Sequence, residues 1–519
     1  MAEYKVLVTT GGLGSRLGDI TRYRNKSLVR VGKKPAISYI IESYPEEVPF
    51  VVTESHYGQQ IKDFLTLAYP NRSFEFVNTD GSPSPGCSIW AARDKLKCPF
   101  IFHACDTIVT DEIPTPDSNW IGGYKDSSSS QYRSFIVSGD NVIKMCEKGE
   151  KDLDFIHIGL CGFKDYELFW EKLELLYNKD KDNPNLTDVH VISEMLETTN
   201  FKSIEFPTWH DIGNIDGLIE AREEVKETIN VVEKYSEDIY MIDGYVIKFF
   251  HDKDIIWKRV RRSQLLEGSV PQIDSYIGNF YRYRYIEGSE LSKKITVPIL
   301  IDLFKWVNEV VWKRTIESNS ESYNKFYDFY FNKTKERAKT FLTHNEIKDK
   351  EQIINGVKCK SVEECLELID KDLLCNEIPY QFHGDLILDN IIYSDDGKFH
   401  LIDWRQDFGG TVEYGDIYYD LSKLNHSFIF NHDMINDGHF DITVDGEIKF
   451  ELYRKYSLSC CQKTFYNMVN KYGYNMNKIS IITSLIWLNM AALHTRPVNI
   501  FLWYFGQYNL NMALKGQTM

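Results

Sequence analysis

The first third of the chain alternates short apolar runs with segments of helical period. Tyr4–Thr10 is apolar enough for a strand buried on both faces, and Pro49–Thr53, Phe74–Asn78 and Pro99–Ala104 repeat that pattern. Between them, Pro35–Glu42 reads as a helix with proline in its first turn, and Gln59–Ala68 and Ser88–Leu96 as two more. Strands alternating with helices predict a parallel α/β sheet, and the pattern continues through Phe155–Phe163 to Trp209-His210-Asp211. From Ile219 to Tyr235 the chain turns charged and helical without a strand, which places a domain boundary near residue 230. Short aromatic and β-branched strands follow to about Glu290, and amphipathic helices dominate from Leu291 onward. A β-rich lobe ahead of a helical lobe predicts a bilobal second domain.

Length and composition agree with this division. At 519 residues and roughly 150 residues per domain, the chain holds two to four units. Its 43% hydrophobic and 26% charged content is globular, with no repeat or low-complexity stretch. The net charge of −16 argues against nucleic acid or an anionic membrane as partner. The one basic run, Lys258-Arg259-Val260-Arg261-Arg262, reads as a solvated helix face. The N-terminus has no basic n-region or long apolar stretch of a signal peptide. The most apolar segment, Ile481 to Leu493, is interrupted by Thr483, Ser484 and Asn489, so no membrane insertion is expected. Ten scattered cysteines without CxxC or zinc spacing read as reduced core residues of a cytoplasmic protein. Oligomeric state is left open.

Directly after the first strand comes Gly11-Gly12-Leu13-Gly14-Ser15-Arg16-Leu17. Glycines there let backbone amides approach phosphate oxygens, and Arg16 can pair with them bidentately. Lys26 follows ten residues after Arg16 in Asn25-Lys26-Ser27-Leu28, ahead of Gly32-Lys33-Lys34-Pro35. Asp106 ends a strand, Glu147-Lys148 stands further on, and Trp209-His210-Asp211-Ile212-Gly213 closes the series. Together these resemble the signature of sugar-phosphate nucleotidylyltransferases, over about residues 4–225. The resemblance implies a Rossmann-like domain at 1–229 in which the phosphate of one substrate attacks the α-phosphorus of a nucleoside triphosphate and pyrophosphate leaves. Negative charge concentrates in that transition state, so two carboxylates holding Mg²⁺ or Mn²⁺, together with cationic side chains, are the residue types required. By resemblance Asp106 and Asp211 are the metal ligands, Arg16 and Lys26 hold the triphosphate, and Lys148 takes the incoming phosphate. Gly11, Gly12, Gly14 and Ser15 line the nucleotide, and Gly86 in Gly86-Cys87-Ser88 meets the base. Two positions depart from the pattern: Asn25 stands where proline is usual, and Cys105 where glycine is common.

The second motif is His383-Gly384-Asp385-Leu386-Ile387-Leu388-Asp389-Asn390, followed by Leu401-Ile402-Asp403-Trp404, with a turn at Ser394-Asp395-Asp396-Gly397 between them. It resembles the catalytic and metal loops of the aminoglycoside phosphotransferase and choline kinase-like family, over about residues 235–519. The resemblance implies a protein-kinase-like α+β domain at 230–519, with a small lobe at about 235–290 and a helical lobe at about 291–519. In such kinases the loop aspartate takes the proton of the attacking hydroxyl, and the asparagine and second aspartate hold Mg²⁺ on the ATP phosphates. That makes Asp385 the expected base and Asn390 and Asp403 the expected metal ligands. Lys248, in Gly244-Tyr245-Val246-Ile247-Lys248, resembles the ATP-phosphate lysine. Glu287, in Tyr285-Ile286-Glu287-Gly288, lies in the expected adenine-reading hinge. Asp416 and Asp420 resemble loop-stabilising aspartates, and His383 is expected to order the loop.

The expected whole is a bifunctional enzyme with ATP and a second triphosphate, CTP or UTP, as co-substrates. One half phosphorylates a small hydroxyl compound (a sugar, sugar acid or polyol), and the other activates it with a nucleotide, as for a surface polysaccharide. A choline kinase joined to a CTP:phosphocholine cytidylyltransferase is the enzymatic alternative. Choline kinases, however, tend to carry His-Asn-Asp and an acidic residue after Asp-Trp, where this chain has Gly384 and Arg405. Arg405 is accordingly a candidate acceptor contact. A non-catalytic nucleotide-binding module is the alternative from another class.

Overall fold

In the computed structural model, which describes residues 3–126, 131–150, 153–225, 234–315 and 319–517, the early apolar runs become the centre of a nine-stranded sheet. Its strand order is Phe74–Asn78, Phe50–Glu54, Lys5–Thr9, Phe100–Ala104, Phe155–Phe163, Trp120–Tyr124, Phe201–Glu205, Asn141–Cys146 and Ser134–Ser138. The first four run parallel, with Val6 opposite both Phe50 and Ile101. Phe155–Phe163 turns antiparallel against Phe100–Ala104. Successive side chains of a strand point to opposite faces. Val6, Val8, Phe50 and Val52 therefore join one core, while Leu7, Val51, Phe100 and Phe102 join another. The predicted helices stand at Ala36–Glu42 and Gly58–Ala68. The third begins earlier than its pattern indicates, at Pro85, because the Ser84 side chain accepts the Cys87 amide and proline fills the first turn.

Two units emerge: Met1–Ile256 with Asp274–Tyr285, and Trp257–Ile273 with Ile286–Met519. The boundary expected near residue 230 lies outside the described residues. Glu237–Ile242, Tyr245–Phe250, Phe280–Arg284 and Ile273–Ile277 form a four-stranded sheet. That sheet packs into the first unit, where Tyr240, Ile242, Ile247, Phe249 and Phe280 join the core around Val6 and Phe64. The Phe64 ring lies 5.6 Å from Tyr240 and 5.7 Å from Phe280. The Tyr240 hydroxyl donates to the Leu28 carbonyl at 2.8 Å. Buried Asp238 is held by Arg24 and, at 2.8 Å, by Arg30 Nε.

The second unit is mostly helical. Ile391–Tyr393 and Phe399–Leu401 make the hairpin expected between the two aspartate motifs, with Ser289–Glu290 as a third strand. Val297–Trp306, Ile417–Ile429, Tyr456–Lys471, Met476–Ala491 and Val498–Leu514 pack against one another. A second four-stranded sheet, Gln352–Ile354, Val357–Cys359, Phe440–Asp445 and Glu447–Leu452, interrupts a region read as helical. The Asp445-Gly446 turn, with Gly446 at φ +76°, is the hairpin signal inside it.

The basic run also differs from its expectation as a solvated face. Arg262 is buried and donates to the Phe382 carbonyl, Lys258 pairs with Asp407 at 2.9 Å, and Arg259 approaches Asp403 at 3.6 Å. These cations turn inward because the loops on either side of the hairpin bring acidic and carbonyl oxygens to them. Eight of the ten cysteines are buried, and all ten are free thiols. Among the described residues no helix is long and apolar enough to cross a membrane.

Candidate active sites

The first site grows from the end of the Lys5–Thr9 strand. The loop after it wraps Lys26: a Cβ on Gly12 would stand 3.3 Å from the Lys26 amine, and one on Gly14 3.1 Å from Lys26 Cβ. Gly14 itself sits at φ +67°, where a side chain is strained. The amides of Gly11, Gly12 and Gly14 take no backbone partner among the described residues. Asn25 fixes the lysine from behind. It is fully buried, its amide donates to the Thr10 and His56 carbonyls at 2.9 and 2.7 Å, and its side-chain oxygen caps Ser27. Its backbone N–H also donates to Gln60. A proline here would lack both the amide side chain and the N–H, so the departure noted from sequence has a local reason.

Lys26 reaches Asp106 at 2.8 Å. Burial lowers the lysine pKa, but the Asp106 carboxylate and Cys105 outweigh it and hold the group above its ordinary value. Asp106 is subject to the opposite balance: burial raises it, and Lys26 followed by Arg16 brings it below the usual carboxylate range. Both groups are therefore charged at neutral pH. A two-residue antiparallel ladder sets Thr107 opposite Asp211, so the two aspartates arrive on adjacent strand ends. Asp211 is held by Tyr132 and Asn214, each at 2.8 Å to Oδ2, and by the Gly213 amide at 2.8 Å to Oδ1. Gly213 marks the focus. A Cβ there would stand 2.8 Å from Asp106 Oδ2, 2.9 Å from Asp211 Oδ1 and 3.0 Å from Arg16 Nη2. Two carboxylates, a guanidinium and an ammonium thus converge on one half-open space. Hard oxygen donors of this kind suit Mg²⁺ or Mn²⁺ rather than a soft metal.

Other sequence candidates of this half lie less centrally. Ser15 is exposed at the start of the short helix Ser15–Thr21. Lys148 is exposed in the turn after Asn141–Cys146, beside Glu147, which pairs with Arg133 at 3.1 Å. Gly86 has a packing reason: its amide donates to the Leu186 carbonyl at 2.8 Å, and a Cβ would meet Leu186 Cγ at 2.5 Å. Its N–H is therefore engaged within the protein. Tyr132 and Asn214 were not singled out from sequence; only the adjacency of Asn214 to Gly213 could have drawn attention to one of them.

The second site is built on a loop pinned from below. Buried Asp420 accepts the His383 and Gly384 amides, both at 2.6 Å, and the Trp312 indole N–H at 3.0 Å. Burial still raises its pKa to about 6, because those donors only partly replace water. Asp416 is likewise buried, accepting from Tyr330 at 2.7 Å with Lys478 at 3.5 Å. His383 donates through Nε2 to the Ile402 carbonyl at 2.9 Å and accepts the Asp385 amide at Nδ1. Burial pulls its pKa down to about 4, which keeps the ring neutral as that pattern demands. Gly384 is required, since at φ +87° a Cβ would meet Arg405 Cβ at 2.6 Å.

On this platform Asp385 faces Asn390, whose amide donates to its carbonyl at 2.9 Å and to Oδ2 at 3.1 Å. Lys423, absent from the sequence reading, pairs with Asp385 Oδ1 at 2.7 Å. Burial raises the Asp385 pKa, but Lys423, His383 and Arg405 more than reverse that and leave it well below the carboxylate range. Asp403 sits one hydrogen bond away, through the Ile402 amide to the Asn390 carbonyl at 2.9 Å. It occupies φ +58°, an uncommon conformation for a non-glycine that recurs at functional sites. Carboxylate and amide oxygens again suit a hard divalent cation. Of the two expected ATP contacts, Lys248 is buried on Tyr245–Phe250 in the first unit, and Glu287 is exposed ahead of Ser289–Glu290 in the second. Arg405 lies beside the loop, its Nε donating to the Asp407 carbonyl at 2.9 Å.

No family model matches the chain. Its N-terminal part is similar to the bifunctional protein GlmU of Methanococcus vannielii, 24% identical over 247 residues, covering 45% of this chain and 57% of that protein. The chain thus spans little more than half the length of that relative. The choline-phosphate cytidylyltransferase of Streptococcus pneumoniae is 24% identical over 224 residues, 39% of this chain and 93% of that protein. A solved structure of the CTP:phosphocholine cytidylyltransferase of the same organism superposes with a TM-score of 0.39 at 16% identity, covering 43% of this chain and 100% of the other. The N-terminal part of the chain therefore resembles nucleotidylyltransferases in sequence, on the same stretch that carries the Lys26, Asp106 and Asp211 constellation.

Proposed function

We propose that the chain is a bifunctional transferase, with a nucleotidylyltransferase site in the first unit and an ATP-dependent small-molecule kinase site in the second. The observation that carries the first activity is the convergence of Asp106, Asp211 and Arg16 on Gly213 beside Lys26. The loop amides, Arg16 and Lys26 hold the triphosphate of CTP or UTP, and Lys148 is exposed to an incoming phosphate. An oxygen of that phosphate bonds to the α-phosphorus as the bond to the β-phosphate breaks, and pyrophosphate leaves. In the second unit Asp385, oriented by Asn390, takes the proton of the acceptor hydroxyl as its oxygen bonds to the γ-phosphorus and ADP departs. A divalent cation held by Asp106 with Asp211, and by Asn390 with Asp403, would neutralise charge on the phosphate oxygens. Glu287, in the second unit, is the assigned ATP contact there.

The two steps fit one sequence: a phosphorylated hydroxyl compound leaves one site and receives a nucleotide at the other. Its product is an NDP-activated building block of the kind consumed in surface polysaccharide synthesis. A second reading, choline kinase with CTP:phosphocholine cytidylyltransferase, is favoured by the similarity to the pneumococcal choline-phosphate enzyme, which extends over 93% of that protein. The test is separability. Asp385→Ala should abolish acceptor-dependent ADP release while sparing pyrophosphate release from supplied phosphorylated substrates, and Asp106→Ala should do the reverse. Both activities should vanish in EDTA and return with Mg²⁺ or Mn²⁺. A folded single variant that loses both activities, or turnover that survives EDTA, refutes the assignment.

A further inference from the structure

Beside Asp385 the second unit encloses a cavity of about 110 Å³ whose polar wall carries Lys333, Arg337, Arg405 and Lys423. The cations come from three separate places. Lys333 and Arg337 are one turn apart on Lys333–Asn345, Arg405 follows Asp403-Trp404, and Lys423 lies on Ile417–Ile429. Facing them is an apolar wall of Met476–Ala491 that includes Ile482, Leu485 and Ile486. The helix carrying Lys333 is preceded by a π-helical turn, Asp328–Asn332, a distortion that recurs at functional sites. That turn sets Phe329 under two of the cations: Lys333 Nζ is 4.0 Å and Arg405 Cζ 5.1 Å from its ring centre.

The charges are not balanced from within. Lys423 is spent on Asp385 at 2.7 Å, and the neighbouring Asp407 on Lys258 at 2.9 Å. Among the described residues no carboxylate lies within ion-pair distance of Lys333, Arg337 or Arg405; Arg337 donates only to the Asn489 carbonyl at 3.3 Å, and Arg405 to that of Asp407. Burial, then repulsion from Arg405, Arg337 and Lys423, pulls the Lys333 ammonium down to about 6. Burial and Arg405 lower Arg337 as well. Lys333 is therefore mostly uncharged at neutral pH, and an entering anion restores its proton and offsets the cost of burying Arg337 and Arg405 without a carboxylate.

We propose that this cavity is the acceptor site of the kinase and that its substrate is an anionic hydroxyl compound, whose carboxylate or phosphate lies between Lys333, Arg337 and Arg405 while its hydroxyl meets Asp385. The assignment rests on the kinase reading of the second unit. It excludes choline and ethanolamine as acceptors, since a cationic headgroup would enter a wall of like charge. The cavity is also smaller than the roughly 300–1,000 Å³ of sites for drug-sized ligands, so the acceptor is compact.

The experiment uses the full chain with Mg²⁺ and ATP and four sets of probes: glycerate and gluconate, glycerol 3-phosphate and glucose 6-phosphate, glycerol and ribitol, and choline and ethanolamine. ADP release and calorimetric binding are measured side by side. Turnover confined to the first set assigns a carboxylate, and turnover confined to the second a phosphate. Lys333→Gln and Arg337→Gln should each raise KM for the active anion about tenfold or more, the loss of one charge-assisted contact, with KM for ATP changed less than about threefold. Neutral or cationic probes turned over with lower KM than the anions overturn the proposal, as does an anion KM unmoved in both variants. If none of the anions binds, the cavity is not an anion site. If anions bind and no probe of any class releases ADP, the kinase reading falls and the anion site stands.

Discussion

Gly213→Ala places one methyl group at the focus of the first site. The added Cβ would lie 2.8 Å from Asp106 Oδ2, 2.9 Å from Asp211 Oδ1 and 3.0 Å from Arg16 Nη2. Comfortable contacts begin at roughly 3.5 Å, so all three side chains must withdraw. Overpacking of this kind costs about 1–3 kcal/mol, and the low end applies because the crowded atoms are side-chain tips and not backbone. For a unit of this size, that is a fall in Tm of roughly 2–4 °C. The effect on chemistry should be far larger. A methyl group between the carboxylates excludes the cation they are assigned to hold and displaces Arg16 from the triphosphate. Removal of one preorganised electrostatic contact typically costs about 10²–10³ in kcat, so pyrophosphate release should fall about 100-fold or more. The assay is coupled pyrophosphate detection with CTP or UTP and a panel of phosphorylated acceptors, with ADP release at the second site as internal control. Nucleotidyl transfer within about threefold of wild type, in a protein of unchanged Tm, would show that the reacting phosphates do not lie among these three side chains.

Two further outcomes concern stability. Asp238→Asn leaves buried Arg24 and Arg30 facing a neutral amide, and breaking one partner of a buried ion pair costs about 3–5 kcal/mol, so the denaturation midpoint of the first unit should fall clearly; an unchanged midpoint would refute the packing of Glu237–Ile242 against these two arginines. His103 is buried, hydrogen-bonded to the Tyr44 hydroxyl and the Thr107 carbonyl, and burial depresses its pKa to about 4, so the unfolded chain binds a proton near pH 6.5 that the folded one refuses. Stability should therefore fall as pH drops from about 6.5 toward 4, by up to about 3 kcal/mol from this residue, and denaturant titrations of His103→Gln should show a shallower decline; identical slopes would contradict the buried neutral ring.

Much of the first candidate site was legible because its side chains follow strand ends. Residues 6–8 and 100–102 are apolar runs, and each is followed within a few residues by its polar group, the glycine loop or Asp106. Asp211 is separated from Asp106 by more than a hundred residues, and only the recurrence of a motif, not any local pattern, linked them in advance. The allegiance of Glu237–Phe250 could not be read from its sequence. Alternating aromatic and β-branched residues demand a strand with one buried face, but they do not name the core that covers it, and here that core contains Phe64. The sheet at 352–359 and 440–452 escaped because two of its strands are three residues long. The inward turn of Lys258, Arg259 and Arg262 escaped for a different reason. Helical period shows which residues share a face, but whether water or carboxylates meet that face depends on loops more than a hundred residues away. The same holds for Lys333, Arg337, Arg405 and Lys423, which become one cavity wall only when three segments close.

The net charge of the whole chain and the cations gathered at its candidate sites act on different ligands, and the difference bears on what each excludes. At −16 the chain repels a polyanion, whose length samples the mean field of the surface. A small anion inside a cavity is governed by groups within a few ångströms, because mobile ions damp exposed charges beyond about 8 Å at physiological ionic strength. Lys26 and Arg16 in one unit, and Lys333, Arg337 and Arg405 in the other, act within that radius and partly out of reach of salt. The acidic composition therefore argues against nucleic acid without arguing against phosphorylated or carboxylated metabolites. It also separates the two enzymatic readings. Phosphocholine presents a phosphate that Arg16 and Lys26 can meet at the first site, whereas choline presents only a cation to the second. Similarity to a choline-phosphate enzyme in the N-terminal part is thus compatible with a partner unit that refuses choline, and the acceptor of the second unit is the more discriminating measurement.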